Sequence, residues 1–137
     1  MEVTANAHYL GTGFQIQSEL GRYTLISDRR KEEGGTALGP DALQQLLGAL
    51  ATGLCASAID LSRQKKIALS NLSVSVRGLA YPQYTGKPVS AFNRVHYQID
   101  FDSGLNPTEK KVFIQETEKN CGVYQVLSVP TALVREA

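Results

Sequence analysis

Short runs with a period of two fill the first 27 positions. Val3 to Tyr9, Phe14 to Gln17 and Tyr23 to Ser27 are separated by Gly11-Thr12-Gly13 and by Leu20-Gly21-Arg22. Short alternating runs joined by glycine-bearing turns predict a three-stranded antiparallel meander. The polar stretch Asp28-Arg29-Arg30-Lys31-Glu32-Glu33-Gly34-Gly35 then reads as a solvated loop of mixed charge.

The period changes after Gly39-Pro40-Asp41. Leu43, Leu46, Leu47, Leu50, Leu54, Ala58 and Leu61 recur at steps of three and four, one apolar stripe of a helix from about Pro40 to Lys65. Proline suits the first helical position, where its missing N–H costs nothing. The other faces carry Gly48, Ala49, Ala51, Thr52, Gly53, Cys55, Ala56 and Ser57, all small. A solvated face would carry Lys and Glu, so this helix is expected to be central, packed on its own sheet and against a partner subunit.

Beyond the helix, Leu72, Val74 and Val76 alternate with Ser73, Ser75 and Arg77. Ala80 to Ser90 holds Pro82, Gly86 and Pro88 and reads as a connection. Val95, Tyr97, Ile99 and Phe101 then alternate with polar neighbours, a second long strand with one wet face. Asn106-Pro107-Thr108-Glu109 combines an N-cap, a first-turn proline and a capping-box glutamate for a helix reaching about Asn120. Val123 to Val134, interrupted by Pro130, predicts a last turn and strand. The order is β-β-β-α-β-β-α-β, an α+β domain without internal repeats.

At 137 residues, positions 1–137 are expected to form a single domain with one core. Fourteen basic and 13 acidic side chains leave a net charge of +1, without the basic footprint of a nucleic-acid binder. The start, Met1-Glu2-Val3-Thr4, has no signal-peptide pattern. Leu43 to Ile59 is the most apolar stretch, and its glutamines, threonine and glycines favour a buried helix over a membrane span. The expectation is a cytoplasmic protein with no membrane or nucleic-acid partner.

No HExxH, GxSxG, P-loop or GxGxxG stands in the context its chemistry needs. His8 and His96 both fall on strands, and their spacing from Cys55 and Cys121 favours no metal site. The cysteines, 66 positions apart without CxxC spacing, are either small buried hydrophobes or a redox pair. The second reading needs Cα atoms within about 4.4–6.8 Å and a cation beside the attacking sulfur.

Two segments carry a resemblance. Gly34-Gly35 with Gly39-Pro40-Asp41-Ala42-Leu43-Gln44-Gln45-Leu46-Leu47-Gly48-Ala49-Leu50-Ala51 resembles the motif that opens the central helix of the OsmC/Ohr family. Glu118-Lys119-Asn120-Cys121-Gly122-Val123, followed by Leu127, resembles that family's second cysteine motif. The resemblance covers nearly the whole chain. It implies an OsmC-like fold, an intertwined homodimer and thiol-dependent reduction of organic hydroperoxides in a stress response. It implies no cofactor and no metal. In this family a peroxidatic cysteine attacks the peroxide, a resolving cysteine closes a disulfide with it, and a glutamate and an arginine assist.

Carried over without a gap, the resemblance puts the peroxidatic position on Gly53, the glutamate on Gln44 and the resolving cysteine on Cys121. The nearest thiol to Gly53 is Cys55, about 200° further around the helix. Arg22, Arg29 and Arg30 are the available N-terminal arginines. Two readings follow. In one, Cys55 attacks a small hydrophobic peroxide, Cys121 resolves, Gln44 orients the substrate and an external thiol reduces the product. In the other, the dimer has lost the peroxidase and binds a small apolar molecule in the vestigial pocket.

Overall fold

The computed structural model describes residues 1–80 and 92–136, so most of the connection expected over 80–90 lies outside the described residues. These residues form two compact units, 1–46 and 47–137. The α+β class holds, the described residues forming five strands in two antiparallel sheets and three α-helices.

In the first unit, β1 (Ala5–Tyr9), β2 (Ile16–Leu20) and β3 (Tyr23–Ser27) form the expected meander, pairing Tyr9 with Ile16 and Leu20 with Tyr23. The segment after β3 is the expected solvated loop over 29–34, all exposed, but its first residue is buried. It contains a short 3-10 turn, Lys31–Glu33, and is organised around Asp28, whose side chain is 2% exposed. The Asp28 carboxylate accepts from the backbone N–H groups of Arg29 (2.7 Å), Thr36 (3.2 Å) and Leu38 (3.1 Å), and from the Thr36 hydroxyl. Charge runs are usually solvated, but this carboxylate satisfies donors that a tight loop cannot otherwise pair. The Thr36 hydroxyl, with help from the three N–H groups, holds its pKa down at about 2 against the opposing effect of burial. The glycines of this segment permit close backbone approach. A Cβ on Gly35 would overlap the Arg29 carbonyl, and one on Gly39 the Ile26 carbonyl.

Helix α1 (Ala42–Lys65) begins two residues later than the proline reading placed it. Asp41 and Gln44 exchange hydrogen bonds, Gln44 N–H to Asp41 at 2.8 Å and Asp41 N–H to Gln44 at 2.9 Å. That reciprocal cap fixes the start, so Pro40 precedes the cap instead of occupying the first turn.

In the second unit, α1 continues beside a long hairpin of β4 (Ser70–Ala80) and β5 (Phe92–Asp102), followed by α2 (Pro107–Lys119) and α3 (Gly122–Ser128). Asn106 and Glu109 form the expected capping box of α2. One cluster makes the core: Leu50, Leu54, Ala58 and Leu61 of α1 with Ile99, Phe101, Phe113 and Cys121. Val74, Val76 and Tyr97 pack against it from the inner face of the hairpin. Although α1 is long and apolar enough to cross a membrane by composition, its buried stripe forms this core. The last strand is a correction: Gly122–Ser128 is helical, and 129–136 pairs with no described strand. Cys121 caps this helix, its sulfur accepting the Tyr124 N–H, and Pro130 lies just past the end.

Candidate functional site

Cys121 occupies the turn between α2 and α3 and is 2% exposed. Three contacts position it. Its Sγ accepts the Tyr124 N–H at 3.4 Å. Its own N–H donates to the Glu118 carbonyl at 3.2 Å. Its sulfur lies against α1 at Gly53, where a Cβ would stand 3.1 Å from Cys121 Sγ and 3.3 Å from Val123 Cγ2. In a disulfide, the Cβ of one cysteine lies about 3 Å from the sulfur of the other. The Gly53 position is therefore where a side chain able to bond Cys121 would originate, and glycine stands there.

Around this turn the structure builds a clamp. The Ser57 hydroxyl of α1 donates to the Thr117 carbonyl of α2 at 2.7 Å, and Thr117 donates to the Phe113 carbonyl at 2.9 Å, both buried. The Tyr97 hydroxyl of β5 donates to the Glu118 carboxylate. Its ring meets Tyr124 edge to face, with centroids 5.9 Å apart. Burial, then Glu118, then Tyr124 drive the Tyr97 pKa above its ordinary 10.0. Tyr97 and Tyr124 were missed by a search for cysteine chemistry, although Tyr97's place on the inner face of β5 was readable from alternation. Glu118 lay inside the quoted cysteine motif without an assigned role.

Cys55 is half-buried and sits on a different face of α1 from Gly53. Gly53 presents its Cβ direction to Cys121. Gln44 lies eleven residues before Cys55 and is engaged with Asp41 in the helix cap. The candidate arginines each have a partner within the first unit. Arg22 lies 5.5 Å from the Tyr23 ring, Arg29 lies 4.2 Å from the Phe14 ring, and Arg30 bonds Glu33 at 2.7 Å. The structure thus brings Gly53 and Cys121 together and gives Gln44 a capping role.

Comparison with known proteins agrees with this frame. The OsmC-like protein family matches residues 34–134. No curated protein sequence matches the chain. Among solved structures, an OsmC-like protein from Mycoplasma pneumoniae superposes with a TM-score of 0.76 at 23% identity, covering 94% of this chain and 87% of the other. An organic hydroperoxide resistance protein OsmC from Legionella pneumophila gives 0.67 at 18%, covering 94% and 90%. The organic hydroperoxide resistance protein OhrB of Bacillus subtilis gives 0.58 at 10%, covering 95% and 93%. At these identities the likeness is one of fold. With the family match spanning most of its length and the cysteine turn seated on the central helix, the chain belongs to the OsmC-like protein family.

Proposed function

We propose that this chain is a dimeric, cytoplasmic, single-domain member of the family in which the intramolecular cysteine-pair peroxidase is lost and a small apolar molecule is bound instead. The observation that carries this reading is the Gly53–Cys121 contact. Cys121 stands where a resolving sulfur would meet its partner, and position 53 offers no sulfur. A half-buried thiol two residues away, about 200° around a regular helix, faces elsewhere.

Two further observations support the dimer. The three-stranded sheet of the first unit leaves Tyr9, Leu20 and Tyr23 exposed, and a small sheet needs an apolar face covered to be stable. On α1, Leu46 and Ile59 are each 41% exposed among small neighbours. A second copy of the chain would cover such faces.

A second reading rests on the partial exposure of Cys55, which makes that thiol reachable by a peroxide. In it, Cys55 attacks the O–O bond, an alcohol leaves, and the Cys121 thiol condenses with the resulting sulfenic acid, releasing water and giving a disulfide that an external thiol reduces. Gln44 would leave its cap to orient the substrate. Intact mass of the reduced protein, before and after one equivalent of cumene hydroperoxide, separates the readings. The first expects no loss of two hydrogens and both thiols still alkylatable. A loss of two hydrogens that disappears in Cys121→Ser overturns it in favour of the second.

A further inference from the structure

The hairpin β4–β5 turns its apolar side chains to the core and leaves a polar outer face that the cysteine chemistry does not use. Cross-strand pairs on this face are Ser73 with Asp100, Ser75 with Gln98 and Arg77 with His96, all exposed. Charge is segregated along it. Arg77, His96 and Arg94 lie at one end, while Asp100 and Asp102 lie at the other. The acidic end has donors of its own: Gln98 donates to Asp100 at 3.3 Å and Asn71 to Asp102 at 2.6 Å. Among the described residues, neither Arg77 nor Arg94 has a carboxylate partner.

Register brings the basic groups close. Directly opposite residues have Cβ atoms about 4.5–5.5 Å apart, which applies to Arg77 and His96. Arg94 is two positions from His96, about 7 Å along the same strand face. The register shift between Gly78 and Ala80 sets Asn93 and Arg94 opposite the single residue Leu79, a bulge of the kind that re-aims side chains. A depression of about 260 Å³ lies here, lined by Ser75, Val76, Arg77, His96, Tyr97 and Gln98. Arg77 and Arg94 are like charges on one face of the hairpin, and a bound anion would relieve their repulsion.

We propose that this outer face binds a small phosphate-type dianion, held by Arg77 and Arg94 with lateral hydrogen bonds from Ser75 and His96. Two guanidinium groups match a tetrahedral dianion better than a monocarboxylate, because each can take two oxygens. A polynucleotide or an extended acidic chain fits poorly, since Asp100 and Asp102 close the far end of the face and the whole chain carries only +1.

The test is an amide-resolved NMR titration of the full-length protein with inorganic phosphate, ionic strength being held constant with chloride. The expected result is saturable shifts confined to residues 75–77 and 94–98. Binding should weaken about tenfold in Arg77→Ala and remain unchanged in Lys111→Ala, which removes an exposed cation on α2. If Arg77→Ala fails to fold, Arg94→Gln carries the same expectation. Shifts scattered over all basic residues, an equal response to acetate, or no response beyond the chloride control would each overturn the proposal. So would co-sedimentation with vesicles of anionic phospholipid without any response to free phosphate, which would assign the face to a lipid surface.

Discussion

On the Gly53 flank of α1, Cys121 and Val123 come within 3.1–3.4 Å of where a Cβ would stand. A Cβ at Gly48, about one and a half turns earlier, would meet no described residue within 4 Å beyond its own helix. Thr52, Ala56 and Ile59 are exposed on the open side, while Ser57 is tied to α2 on the closed one. Both regions are made of small residues, for different reasons. On one flank the chain's own turn needs the room. On the other, no described residue uses it, and the proposed second copy would.

The strongest test of the closed flank is Gly53→Cys. With a Cβ 3.1 Å from Cys121 Sγ, a 53–121 disulfide is expected to close with little backbone movement. It would bracket a loop of about 70 residues and stabilise the fold by about 4 kcal/mol on the chain-entropy account. Comparing unfolding of the oxidised and reduced variant reads the gain, and alkylation counts the remaining thiols. Two reactive thiols after oxidation would show that Cys121 does not face this position.

A smaller effect separates the flanks directly. Replacing an exposed helical glycine by alanine gains about 0.5–1 kcal/mol of helix propensity, the expected outcome for Gly48→Ala. Gly53→Ala has the same propensity gain but presses a methyl onto Cys121 and Val123, and overpacking costs about 1–3 kcal/mol. Its net effect should be destabilising, by about 1 kcal/mol. Denaturant midpoints of the two variants should move in opposite directions. A destabilised Gly48→Ala that also dissociates more readily would mean that a second copy closes the open flank.

This contrast marks what was legible in the sequence. Periodicity located the meander, α1, β4, β5 and α2, because each buries one face and its side-chain spacing records that face. The Asn106 cap was legible because capping uses a local code. Asp28 was not, because its donors lie one to ten positions along an irregular loop that has no period. The C-terminal segment from Val123 to Val134 reads as a turn and strand in the sequence. Capping at Cys121 and the lack of a described strand to pair with decided otherwise. The resemblance placed Cys121 and Gly53 at matching positions, but whether they touched depended on packing between elements nearly 70 residues apart.

The clamp behind Cys121 gives the smallest expected effect and tests whether the closed flank is held from outside α1. Tyr97→Phe removes the hydroxyl that donates to Glu118 while keeping the ring against Tyr124. A hydrogen bond to a carboxylate contributes about 1.5–3 kcal/mol when buried, and Tyr97 is only partly so, making about 1 kcal/mol the expected loss at neutral pH. The alkaline limb is more diagnostic. The folded pKa of Tyr97 is raised above 10.0, so its contribution is fully present below pH 10. Above that, the unfolded chain ionises while the folded chain resists, and stability falls as pH rises. Urea unfolding between about pH 8 and 11 should therefore show a steeper decline in the parent chain than in Tyr97→Phe. Because Tyr124 also donates its N–H to Cys121, the variant should alkylate faster at that thiol. Parallel pH profiles with unchanged alkylation would mean that the α1 contacts at Gly53 and Ser57 hold the turn. The closed flank would then owe its shape to α1 and nothing beyond it.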